Sequence, residues 1–187
     1  VAVLDPIAAW REEHAYFSRL LRLLRDQLDV FHVAGEPNYA LMQDIVSYLR
    51  EYGDRVHHPR EDVAFARLAR HCPEIELVLS RLQQEHRVIA HAGDALSALI
   101  TSALEDAVVP RERVEAAAAT YLVYYENHIA TEENAILPRA ARHLTADDWE
   151  AARAAAPAVP DPLFGAGSQG RFRELRRRIA QESAGMA

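Results

Sequence analysis

Apolar residues recur every three or four positions along most of this chain, a spacing that predicts amphipathic helices around a shared core. From Asp5 to Phe31 the inward stripe reads Ile7, Trp10, His14, Phe17, Leu21, Leu24, Leu28 and Phe31. Asp5 and Pro6 form an N-cap followed by proline at the first helical position, and the stretch Ala34-Gly35-Glu36-Pro37 stops the helix. A second stripe, Met42, Ile45, Leu49, Gly53 and His57, predicts a helix from Asn38 to Arg70. Pro59 interrupts it, because proline lacks an N–H and its ring presses on the carbonyl four residues back, that of Arg55. A kink or local unwinding is expected at His58-Pro59. The third stripe begins at Pro73 and runs Ile75, Val78, Leu82, His86, Ile89, Gly93, Leu96 and Ile100. The fourth begins near Pro110 and runs Val114, Ala117, Tyr121, Tyr124, His128, Glu132 and Ala135, with Pro138 disturbing its end.

Thr145 and Asp148 resemble a capping box with Asp in place of Glu, so a short fifth helix is expected there. Residues 155–170 hold three prolines and three glycines and read as a loop. A last helix from Gly170 to Glu182 carries Phe172, Leu175 and Ile179 on one face, with Arg171, Arg173, Arg176, Arg177 and Arg178 around the rest. The expected architecture is all-α. It is an up-down-up-down four-helix bundle over residues 1–150, followed by a 151–187 extension with a Pro/Gly-rich loop and a short Arg-rich amphipathic helix.

Composition agrees with helices. Half of the 187 residues are hydrophobic and only 7% are aromatic, enough chain for one well-packed domain with an extension. The net charge of -7 argues against nucleic acid as a main partner. A lone cysteine, Cys72, excludes a disulfide within the chain and fits a reducing cytoplasm. No run approaches the roughly 18 apolar residues of a membrane span. Val1 to Pro6 lacks the basic start of a signal peptide, and the opening valine is expected to reflect a trimmed start.

The chemistry lies in where the polar residues interrupt the stripes. A helix climbs about 1.5 Å per residue, so equal counts from a shared turn mean equal heights in antiparallel neighbours. Counting across the three turns puts His14, His57 with Glu61, His86, and His128 with Glu132 at one level. The His57/Glu61 and His128/Glu132 pairs are spaced so that both members face one site. Such groups are costly in a core when unpaired, and a metal ion removes the cost by taking their lone pairs. Imidazole with carboxylate suits iron, manganese or zinc. Donors from four helices suit two ions better than one, with Glu61 and Glu132 as bridges and the imidazoles as terminal ligands. Glu133, five residues past His128, is the weaker choice. The Glu-x-x-His pattern of ferritin-like bundles is absent, since Arg11, Asp54, Gln83 and Tyr125 stand three before the histidines.

The run His57-His58-Pro59-Arg60-Glu61-Asp62, then Gln84-Glu85-His86 and His128-Ile-Ala-Thr-Glu132-Glu133, resembles the hemerythrin-like HHE cation-binding family, as does Asp147-Asp148-Trp149. The resemblance spans Asp5 to Trp149. It implies a hemerythrin-like four-helix bundle holding two non-haem irons, oxo- or hydroxo-bridged, that meet oxygen, nitric oxide or peroxide. The implied ligands are His14, His57, Glu61, His86, His128 and Glu132. Oxygen-carrying members place a second histidine one turn after the third-helix histidine, where this chain has Ala90. Their aspartate five past the last histidine is replaced here by Glu132, one residue nearer. The iron-sensing F-box proteins of the family share that shorter spacing and have an acidic ligand where this chain has His58, which makes His58 a candidate seventh ligand. These departures count against reversible oxygen carriage.

Three functions stay open: binding or sensing of oxygen, nitric oxide or iron status; enzymatic peroxide decomposition or nitric oxide reduction; and a protein-partner module using the C-terminal helix. Tyr124, one turn before His128, is a candidate hydrogen-bond partner for a bound species, or else a plain core tyrosine. His32, His71 and His143, near helix C-termini, are expected to cap carbonyls or meet the helix dipole. His91 is expected to lie off the seam.

Overall fold

The structure is a computed structural model that describes residues 5–33, 35–165, 170 and 172–185. Four rods form the bundle. The first is α1 (Pro6–His32). The second is α2 (Tyr39–Tyr48), a π-helical segment (Leu49–His57) and α3 (His58–His71) in continuous succession. A 3-10 turn (Pro73–Ile75) leads into the third rod, α4 (Glu76–Leu104). The fourth joins α5 (Arg111–Thr131), a second π-helical segment (Glu132–Ile136) and α6 (Leu137–His143). Short α7 (Ala146–Ala154) and α8 (Arg173–Gly185) follow. The fold is the expected all-α four-helix bundle with extra C-terminal helices.

Local chemistry sets the helix ends. Asp5 accepts a hydrogen bond from the Ile7 amide, and Asn38 accepts one from that of Leu41. Thr145 and Asp148 make the reciprocal capping box, amide to side chain in both directions. Asp148 also accepts from Arg67 and from His71, each at 3.0 Å, which fastens α7 to α3. His71 therefore grips a carboxylate of α7, where capping of carbonyls or contact with its own helix dipole was expected. His91 and His143 are exposed, and the His32 side chain lies outside the described residues.

Both expected disturbances are present, with the same physical form. The His58 amide, just before Pro59, bonds the carbonyl of Gly53, five residues back; the Leu137 amide, just before Pro138, bonds that of Glu132. The helix widens by one residue ahead of each proline, and so continues past a side chain that cannot join the ordinary ladder.

The apolar core falls into two clusters. One holds Phe17 to Phe31 of α1, Leu41 to Val56, Ile89 to Ile100 and Val114 to Ile129. The other holds Ile7 and Trp10, Ala64 to Leu68, Leu79 and Leu82, and Ile136 to Ala140. In every rod the buried histidine level marks the changeover between them. The C-terminal extension adds to the first cluster. Leu163, Phe172, Leu175 and Ile179 are buried in it, Tyr48 donates to Asp161 at 2.8 Å, and Phe164 stacks on Tyr16. The apolar stripe of α8 thus docks on the bundle, while Arg173, Arg176 and Arg177 stay exposed. Among the described residues no helix is long and apolar enough to cross a membrane.

Candidate metal centre

The second rod brings three donors to one place. His57 and Glu61 are about 40° apart around an α-helix axis and His58 about 100° from His57, so the glutamate sits angularly between the two imidazoles. The widened turn ending at His57 lets both adjacent histidines face the core; they are 1% and 3% exposed. His14 on α1, His86 on α4, and His128 and Glu132 on the fourth rod are buried at the same level.

Two donor clusters result, and Glu61 belongs to both. His14, His57 and Glu61 form one; His58, Glu61, His86 and His128 form the other, with ligand atoms within 4.8 Å of each other in each. One oxygen of Glu61 lies 3.3 Å from His14 Nε2 and 3.0 Å from His57 Nε2, and its other oxygen lies 3.4 Å from His86 Nε2. Glu132 straddles the layer in the same way. Its Oε2 is 3.5 Å from His14 Nε2, and its Oε1 is 3.0 Å from His128 Nε2 and 3.8 Å from His86 Nε2. Donors about 2.1 Å from a cation and at right angles to each other stand about 3 Å apart. Most of these spacings are close to that edge length.

The donor set also fits cations by what it lacks. Glu61 Oε2, His86 Nε2, His128 Nε2 and both Glu132 oxygens are buried without a hydrogen-bond partner. An unpaired buried polar atom costs about 1–3 kcal/mol, more if charged, and several of them face one another here. Hard cations accepting imidazole nitrogen and carboxylate oxygen would satisfy them together.

Behind the cluster runs a closed ring of carboxylates that sequence reasoning had not placed. Glu13 of α1 accepts from His57 Nδ1, Asp62 of α3 from His86 Nδ1 at 2.9 Å, Glu85 of α4 from His128 Nδ1 at 3.2 Å, and Glu133 of the fourth rod from His14 Nδ1 at 2.8 Å. Each rod thus clasps the histidine of the next, and the last clasps the first. Each bond puts the proton on Nδ1 and turns Nε2 inward, the tautomer a metal ligand needs. A signal was available: each carboxylate is the immediate sequence neighbour of a site residue. Glu133 is accordingly a partner of His14.

Electrostatics follow from this packing. Burial by itself lowers an imidazole pKa, but the bonds to Glu133 and Glu61 and the field of Glu132 outweigh it at His14 and push it up to about 10. At His86, burial is outweighed by the bond to Asp62 and by the facing carboxylates of Glu132 and Glu61, which push it up to about 11. His57 and His128 are raised for like reasons. Burial would raise Glu61 and Glu132, yet the facing imidazoles hold both down. His58 goes the other way, lowered by burial and by the positive field of His86, so its lone pair stays free. Protons and cations compete for the same atoms, so metal binding here releases protons.

Tyr124 is a correction. It is 43% exposed on the outer face, and Tyr125, fully buried, takes the inward position. The buried seam of the fourth rod steps Val114, Ala118, Tyr121, Tyr125, His128, Glu132, so the residue inside His128 is three back, where the sequence count had taken four. The Tyr125 ring lies 5.7 Å from that of His58, and its hydroxyl, without a hydrogen-bond partner, presses on Gly53.

A four-rod bundle whose mid-height layer gathers histidines and glutamates from every rod defines a class: helical bundles built around a cradle suited to a pair of cations. Within that class the comparison with protein families is specific. The chain belongs to the hemerythrin HHE cation binding domain family, whose model matches residues 5–140 and so ends before α7. No curated protein matches the chain.

Proposed function

We propose that the chain is a non-haem di-iron protein that binds or senses a small molecule, with oxygen, nitric oxide and peroxide as the chemical candidates. The observation that carries this reading is the pair of buried clusters sharing Glu61, with their inward lone pairs unpaired. His14 and His57 would hold one ion, His58, His86 and His128 the other, and Glu61 and Glu132 would bridge. Histidine with carboxylate suits iron and leaves manganese or zinc as alternatives. When bound, an iron pair supplies an exchangeable coordination position and one-electron redox steps. The residues do the rest: the carboxylate ring fixes the imidazoles, and the two apolar clusters exclude water from above and below. With Cys72 unpaired and buried, a reducing cytoplasm is the compartment we favour.

Metal analysis of the protein as purified, together with its visible spectrum, tests the reading. About two irons per chain are expected, since six or seven donors exceed what one ion takes. A metal-free protein that cannot be loaded would refute it. Tyr125 favours a second reading, a di-iron enzyme that decomposes peroxide or reduces nitric oxide. Its buried phenol stands beside His58 with no partner and could donate a proton to a bound species. Steady turnover by the loaded protein, impaired in Tyr125→Phe, would favour the enzyme; a saturable spectral change without turnover favours the sensor.

A further inference from the structure

A buried centre of this kind has to be filled from outside, and the walls of the molecule are not alike. A cavity of 180 Å³ is lined by Asp54, His58, Asp62, His86, Arg87 and Ala90 among others. Two carboxylates stand in its wall, and the two imidazoles at its inner end belong to the second donor cluster. Burial increases inward: the Asp62 side chain is 45% exposed, that of Asp54 14%, and that of Glu61 not at all. His58 Nδ1 and Asp54 Oδ1 lie 3.3 Å apart, and neither has a hydrogen-bond partner. His58 itself is nine-tenths buried or more, so a cation arriving here would find two buried donor atoms not held in any hydrogen bond.

A second cavity, of 210 Å³, makes the contrast. It lies beside the other cluster, with the Trp10 ring 6.0 Å from that of His57, and its described lining, which includes Trp10, Trp149, Arg60 and Arg153, offers a cation no carboxylate. A small residue also lines the first cavity. It is Ala90, one turn of α4 beyond His86, and a bulky side chain there would narrow the cavity.

We propose that the Asp54–Asp62 cavity is the port through which a divalent metal ion enters, and that Asp54 with His58 Nδ1 forms a transit site on the way in. The inference rests on the di-metal reading above. An ion leaving water loses its shell piece by piece, and oxygens and nitrogens spaced along the path replace it, so no step requires a bare charge in the core. Asp62 meets the ion first, Asp54 and His58 next, and Glu61 with His86 receives it. His58 serves both the port and the inner cluster. Arg87 at the mouth opposes entry.

Rates of loading test this. Cobalt(II) serves as the probe, added anaerobically to the metal-free full chain, with growth of its visible d–d absorption followed by stopped flow and end-point metal content measured separately. Ala90→Leu blocks the cavity without removing a donor. It should slow uptake about tenfold or more while the end point stays at about two ions per chain. Arg87→Gln should accelerate uptake severalfold, and Ala9→Leu, which narrows the aromatic cavity, should leave the rate unchanged. Uptake by Ala90→Leu at the unmodified rate, or slowing by Ala9→Leu, would overturn the port. If circular dichroism shows Ala90→Leu misfolded, Arg87→Gln decides alone, and an unchanged rate there overturns it. An unmodified chain that binds neither cobalt nor iron would overturn the centre itself, a result distinct from a loaded centre reached by another route.

Discussion

Gly53→Ala is the substitution whose outcome is best constrained. An alanine Cβ at this position would stand 2.5 Å from the Tyr125 hydroxyl but 3.8 Å from Cζ of the same ring. The first distance is a collision and the second an ordinary contact, so the clash lies with one oxygen. Tyr125 is fully buried and cannot swing away. Overpacking of this kind costs about 1–3 kcal/mol. Against it stands the backbone: alanine in a helix is favoured over glycine by about 0.8–1.0 kcal/mol. The single variant should therefore lose roughly 0–2 kcal/mol, the difference of those two effects. Tyr125→Phe removes the colliding oxygen, which is itself unpaired, and should be neutral or mildly stabilising. The double variant should then be more stable than the parent, and the pair should couple by about 1–3 kcal/mol. Urea unfolding of all four proteins in the metal-free state measures the cycle. A coupling under about 0.5 kcal/mol, the ordinary scatter of independent sites, would show that the hydroxyl does not rest on Gly53.

Three further outcomes are expected. Glu61→Gln removes the carboxylate common to both clusters, so metal content by elemental analysis should fall from about two ions to one or none; full occupancy would show that the clusters do not share it. Glu85→Gln or Glu133→Gln leaves every inner donor in place but loosens an imidazole, and competition titration should show affinity weakened about 10–100-fold at unchanged saturation. Asp148 is held well below the usual carboxylate range, first by the Thr145 amide and then by Arg67, with the Thr145 hydroxyl and His71 adding to it. A lowered folded pKa means stability that is present above the unfolded value, about 3.9, and is lost as pH falls through the folded one. Asp148→Asn should thus cost about 0.5–2 kcal/mol at pH 7, with the gap to the parent shrinking on acidification below about pH 4; an unchanging gap would remove the ionic part of that cap.

Much of the centre was legible because helical rise is regular. His14, His57, His86 and His128 could be levelled by counting from turns, and Pro59 and Pro138 announced where the ladder would loosen. What counting could not resolve was rotation by a single position. Tyr124 and Tyr125 are both compatible with His128 at helical spacing, and only packing against Gly53 and Phe17 decides between them. The carboxylate ring was hidden for another reason. Glu13, Asp62, Glu85 and Glu133 look like ordinary flank charges beside the seam, and their partners are set by which rod stands next to which. The apolar stripe of the last helix was readable, but its seat beside Tyr48 and Asp161 depends on the path of the preceding loop.

The division of the core into two oily ends gives the middle layer a mechanical meaning. Each end packs as a separate plug, and the waist between them is clasped by the carboxylate ring while its inward lone pairs oppose one another. A cation seated there acts as a rivet through all four rods, so the emptied molecule should breathe at its midline first. Metal occupancy would then be reported to the outside as stiffness, without any domain having to move.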